Sequence, residues 1–150
     1  MRAVIQRVAK ASVAVDGSEV SRIGPGLCCL IGVEAGDGPG DVADIARKIC
    51  SLRIFDDGCG VMNLDVGEAE GEILLISQFT LLGDARKGRR PSYSSAQDPE
   101  GASAVFEQVV AAVSSLHGGT VVTGRFQTTM DVDLLNHGPV TILLDSRRLF

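Results

Sequence analysis

Apolar and polar side chains alternate from Arg2 to Val15, with Ala3, Ile5, Val13 and Val15 on the apolar side. A period of two predicts a half-buried strand. Asp16-Gly17 then signals a tight hairpin, with 19–23 as the returning strand. Gly24-Pro25-Gly26 interrupts the chain, and Leu27–Val33 follows as an unbroken apolar run, short enough for a strand buried on both faces. Past the glycine-rich segment 34–40, the apolar positions Val42, Ile45, Ala46, Ile49 and Leu52 change to helical spacing and predict a helix over 41–52. Asp56–Gly60 reads as a turn, 61–64 as a short extended piece, and Glu72–Thr80 as a central strand ending in polar residues.

Asp98-Pro99-Glu100 opens a second helix, with aspartate as cap and proline in the first turn. Val105, Phe106, Val109, Val110, Val113 and Leu116 form its apolar face, and Gly118-Gly119 ends it. Strands are predicted at 120–123 and 126–135, then a turn at Asn136–Pro139, then a last strand at 140–144. The pattern is that of an α/β protein, a single domain over 1–150 with a mixed, largely antiparallel, barrel-like sheet and two helices.

A chain of this length buries roughly two-thirds of its extended surface, enough for a core without staples. Apolar residues make up 45% and charged residues 22%, a globular composition. The absence of a long apolar segment and of a signal-like start leads to the expectation of a cytoplasmic protein. The four cysteines, at 28, 29, 50 and 59, have no metal-binding spacing, and the two histidines stand far apart, so no metal site is expected.

The net charge of −5 argues against a long nucleic-acid track. One segment differs: 84–93 holds Arg86, Lys87, Arg89 and Arg90 against a single acid, Asp84. Such a spot fits either a short anionic contact, such as the end of an RNA, or a solvated loop.

No catalytic triad, zinc motif or phosphate loop is present. Two places carry candidate chemistry. Ser77-Gln78-Phe79-Thr80 ends a buried strand with three polar side chains and an aromatic. It could help hold a developing oxyanion, or simply cap its own strand. Gly138-Pro139 reads as an ordinary turn, or, with a cis bond, as a rigid pair of carbonyl acceptors for an ammonium group.

Together these pieces resemble the D-aminoacyl-tRNA deacylases. The resemblance runs through MRAVIQRV, Leu52-Arg53-Ile54-Phe55, Met62-Asn63, the 77–81 block, Asp84 with Lys87-Gly88 and Arg90-Pro91-Ser92, and Asn136 with Gly138-Pro139-Val140-Thr141. It implies hydrolysis of the ester joining a D-amino acid, or glycine, to the terminal adenosine of tRNA. It also implies a homodimer without metal or organic cofactor. By that resemblance Gly138-Pro139 is a cis chirality filter reaching into the other subunit, braced by Arg7 and flanked by Asn136 and Thr141. Ser77, Gln78, Phe79 and Thr80 form the opposite wall, with Phe79 near the adenosine, and Arg86, Lys87, Arg89 and Arg90 contact the tRNA. Attack by water aided by the ribose 2′-hydroxyl competes with Thr80 as nucleophile. The chain departs from the family pattern at Val61, Leu82, 127–129 and His137. Two other readings stand beside this one: a catalytically silent nucleic-acid-binding dimer, and a Ser/Thr hydrolase of small esters that needs a base beside Ser77 or Thr80.

Overall fold

The computed structural model describes residues 1–149. Strand β1 (Arg2–Val15) is its spine. One edge of β1 carries β3 (Gly26–Gly32) along its first half and β2 (Ser18–Ile23) along its second, and β8 (Asp131–Asp145) runs along the other edge. All three pairings are antiparallel. Beyond β3 the sheet continues through β6 (Glu72–Ser77) and β7 (Val121–Thr123), and these pairings are parallel. β2 returns against β6 and β7, so the sheet is nearly closed.

The barrel-like, two-helix expectation therefore holds, but the sheet is mixed and not largely antiparallel. The reason lies in the connections. Helix α1 (Pro39–Ser51) falls between β3 and β6, and α2 (Pro99–His117) between β6 and β7. Crossovers of that length return the chain in the same direction. Both helices start and stop as their sequences require. Pro39 begins α1, and the Asp98 carboxylate caps α2 by accepting the Gly101 N–H at 3.0 Å. Gly118, at φ 68°, closes α2 in the left-handed conformation.

The apolar runs of β3 and β6 alternate between two cores. Leu27, Cys29, Ile31, Ile73 and Leu75 face α1 and α2, where they meet Ile45, Ile49, Phe106 and Val113. Cys28, Leu74 and Ile76 face the interior of the curved sheet with Val8, Ala11, Val13 and Ile23. β1 serves both cores by changing phase. Ala3 and Ile5 belong to the helical side, whereas Val8, Ala11 and Val13 belong to the other. The register against β8 shifts by one residue between Val8 and Lys10. This bulge carries the inner face from an even position to odd ones.

Two boundaries differ from the sequence reading. Glu72–Thr80 is not all strand: β6 stops at Ser77, and a short 3₁₀ helix covers Phe79–Leu82. The segments 126–135 and 140–144 are not two strands about a turn. Residues 126–130 form a loop, and 131–145 are one strand that carries Gly138-Pro139 within it. A small hairpin, β4 (Phe55–Asp56) with β5 (Met62–Leu64), stands apart from the main sheet, as the turn expected at 56–60 requires. Among the described residues, no helix is long and apolar enough to cross a membrane.

Candidate active site

The Gly138-Pro139 dipeptide sits where the β1–β8 ladder opens. Gln6 pairs with Thr141 and Val8 with Asn136, so between those rungs β8 carries three residues more than β1. The excess bows out opposite Arg7, leaving Gly138 and Pro139 exposed. The bond between them is cis.

Side chains hold this bow. Arg7 is buried, with 6% of its surface exposed, and its Nε donates to the His137 carbonyl at 3.0 Å. Its Nη1 donates to the Ile54 carbonyl at 2.7 Å and lies 3.4 Å from the Asp56 carboxylate. The carbonyl that Arg7 grips is thus that of the residue before the dipeptide. From the Asn136 side chain, Oδ1 accepts the Val140 N–H at 3.0 Å and Nδ2 donates to Gln6 Oε1 at 2.7 Å and Thr141 Oγ1 at 3.2 Å. Gly138 has φ 130°, and a Cβ there would lie 2.7 Å from Val140 Cγ2 and 3.0 Å from Arg7 Nη2. Only glycine fits.

The second candidate, 77–80, occupies the end of β6. Ser77, Gln78 and Phe79 line a cavity of about 650 Å³. Tyr93, Gln97 and the segment Phe126–Met130 complete much of its wall. Phe79 is 56% exposed and meets Tyr93 edge-to-face with ring centroids 5.1 Å apart. The 3₁₀ turn leaves the Phe79 and Thr80 N–H groups without a partner inside the helix. Thr80 is exposed, and its hydroxyl pairs with the Gln78 side-chain amide. Among the described residues, no carboxylate or imidazole is hydrogen-bonded to the Ser77 or Thr80 hydroxyl.

The sequence pattern does not mark Tyr93 or Gln97 as site residues, and it marks 127–129 only as departures from the family pattern. Phe126, Thr128 and Met130 alternate like a strand face, which hid their role as a loop. Gln97 carried no signal. Gly138 and Pro139 do not line the cavity of their own chain.

The basic segment is an exposed loop closed by paired backbone hydrogen bonds between Asp84 and Ser92, at 2.8 and 2.9 Å. Asp84 engages Arg86 at 2.7 Å, and the Arg86 hydrogen bonds hold its carboxyl well below the usual carboxylate range. Lys87, Arg89 and Arg90 are exposed and make no ion pair among the described residues. Of the two histidines, His117 ends α2 and His137 is exposed beside Gly138. Burial pushes the Cys28 and Cys50 thiols up to about 11 and removes them as nucleophiles at neutral pH.

A nearly closed mixed sheet thus carries both features, a polar strand end beside a cavity and an exposed glycine-proline bow. The family model for D-Tyr-tRNA(Tyr) deacylase matches residues 4–145. D-aminoacyl-tRNA deacylases from Natranaerobius thermophilus and Anaeromyxobacter dehalogenans are each 53% identical over 150 residues, covering both chains completely. Among solved structures, the c-Myc DNA Unwinding Element Binding Protein superposes with a TM-score of 0.92 at 36% identity, covering 97% of this chain and 98% of that one. A probable eukaryotic D-amino acid tRNA deacylase shares the fold, with a TM-score of 0.78 at 17% identity over 95% of this chain and 97% of that one. The chain belongs to the D-Tyr-tRNA(Tyr) deacylase family, a family of hydrolases.

Proposed function

We propose that this enzyme proofreads aminoacyl-tRNA in the cytoplasm by hydrolysing the ester that links a D-amino acid, or glycine, to the terminal adenosine. The observation that carries the reading is the separation of two half-sites on one chain. A rigidly held glycine-proline bow projects from β8, and the 77–79 cavity lies elsewhere. A homodimer unites them, with the bow of one subunit entering the cavity of the other. The outer edge of β8 supports such pairing: among the described residues β8 pairs with β1 alone, and it exposes Leu135 and Leu143.

In this arrangement the cavity takes the adenosine, with the exposed Phe79 ring against the base. The backbone carbonyls of Gly138 and Pro139 accept hydrogen bonds from the substrate ammonium group. An L side chain would run into the bow, whereas a D side chain would point away and glycine has none. Exclusion of this kind tolerates many D side chains. The ester carbonyl becomes an oxyanion when water attacks, and the Phe79 and Thr80 N–H groups are the donors for it. The ribose 2′-hydroxyl assists the water, and cleavage releases free tRNA and the amino acid. The amide partner of Thr80 is no base, which favours a positioning role for its hydroxyl over nucleophilic attack.

The test is hydrolysis of matched D-tyrosyl- and L-tyrosyl-tRNA by purified protein with a chelator present. Loss of the D-ester with the L-ester spared is the expected result. Equal hydrolysis of both would overturn the filter. Survival of both while tRNA still binds would favour the silent nucleic-acid-binding module, which the exposed Lys87, Arg89 and Arg90 could also serve.

A further inference from the structure

We infer that Gln6 is a positioning residue for stereoselection, acting through Asn136. The inference rests on the reading of Gly138-Pro139 as the filter, and adds the element that sets its orientation.

The bow has lost the ladder hydrogen bonds that would ordinarily fix a strand. Its C-terminal limb is held instead by one side chain, Asn136, whose Oδ1 accepts the Val140 N–H. An asparagine amide can do this in only one of its two orientations, because the flipped form would turn an NH₂ toward an N–H. Gln6 receives the NH₂ that this orientation presents. Its Oε1 is an acceptor 2.7 Å from Asn136 Nδ2, and it stands on β1 directly across from Thr141. Thr141 Oγ1 is the second partner of the same NH₂, at the longer distance of 3.2 Å. Gln6 is therefore the shorter of the two contacts that anchor the Asn136 side chain while it accepts from the bow. Its neighbour Arg7 fixes the other limb through the His137 carbonyl. Two consecutive residues of β1 thus clamp the two ends of one four-residue segment, 137–140.

The test compares Gln6→Met, which keeps the length and removes the acceptor, with Gln6→Glu, which keeps the acceptor. The readouts are kcat/KM for D- and L-tyrosyl-tRNA, and Tm. Gln6→Met should lower the ratio of D to L hydrolysis about fivefold to tenfold, the scale of one lost hydrogen bond. Gln6→Glu should hold that ratio within about twofold of wild type. Equal loss in both variants, or a lowered Tm with the ratio unchanged, would overturn the role. Should Gln6→Met fold poorly, Asn136→Asp gives the same answer. Alone it keeps the contact, because Gln6 can present its NH₂, whereas combined with Gln6→Glu it opposes two carboxylates and should lose the selectivity. Selectivity retained in the double variant would overturn the proposal. A wild-type chain that hydrolyses both esters equally overturns the filter reading and this inference together. A selective wild type with an equally selective Gln6→Met overturns the inference alone.

Discussion

At the scale of single residues, Gly138 joins a backbone constraint to a steric one. Its φ of 130° and the atoms 2.7 and 3.0 Å from a hypothetical Cβ leave an alanine no place. The bow is exposed, so the displacement is absorbed locally. Gly138→Ala should lower kcat/KM for D-tyrosyl-tRNA by about tenfold or more, a scale set by sub-ångström misplacement of a positioning group. Stability should fall by about 1–3 kcal/mol, the range for an L residue forced into such a conformation. Circular dichroism melting beside the deacylation assay separates the two effects. A variant with full activity would show that the bow need not keep this shape.

At the scale of elements, the tightest joint is between β3 and β6. A Cβ on Gly26 would lie 1.9 Å from the Glu72 carbonyl oxygen, a backbone atom inside the parallel pairing. Gly26→Ala should destabilise by about 3 kcal/mol or more, through forced separation of two core strands. Gly40 in the first turn of α1 has ordinary φ and nothing within 4 Å. Gly40→Ala should be neutral or stabilise by about 0.5 kcal/mol. Urea titration of the pair checks both signs. These elements were legible in sequence because their causes are local. The 3.6-residue period of α1, the Asp98 cap of α2 and the unbroken apolar run of β3 each lie within a few residues. The bow was not legible. Asn-His-Gly-Pro signals a turn, and only pairing with β1, some 130 residues distant in the chain, turns the flanks into one strand. The site divides likewise. The polar end of β6 and the glycine-proline pair could be singled out, and family resemblance supplied their joint meaning. Tyr93, Gln97 and 126–130 reach the cavity only through tertiary folding.

At the scale of the whole molecule, charge is distributed to a purpose. The chain as a whole is acidic, with a net charge of −5. The 84–93 loop presents Lys87, Arg89 and Arg90 without acidic partners, while Arg86 is tied to Asp84. If these three cations meet tRNA phosphates, log(kcat/KM) should fall with log salt at a slope near −2 to −3, about 0.7–0.9 per phosphate contact. Exchanging all three for glutamine should flatten that slope and raise KM several-fold, with kcat little changed. Arg86→Gln alone should do far less. A slope unaffected by the triple exchange would place the tRNA contact elsewhere.

The one-residue bulge in β1 bears on how such a chain can vary over descent. Val8 and Ala11 share an inner face only because of the extra residue between them. Deleting one residue from 9–10 would remove the bulge and leave Ala11, Val13 and Val15 on the inner face of a regular strand. A single-residue deletion should therefore be tolerated at this point of β1, whereas elsewhere in a buried strand it would reverse every side chain beyond it. Arg7 and Gln6 lie before the bulge, so the parts that hold the glycine-proline bow keep their register through such a change.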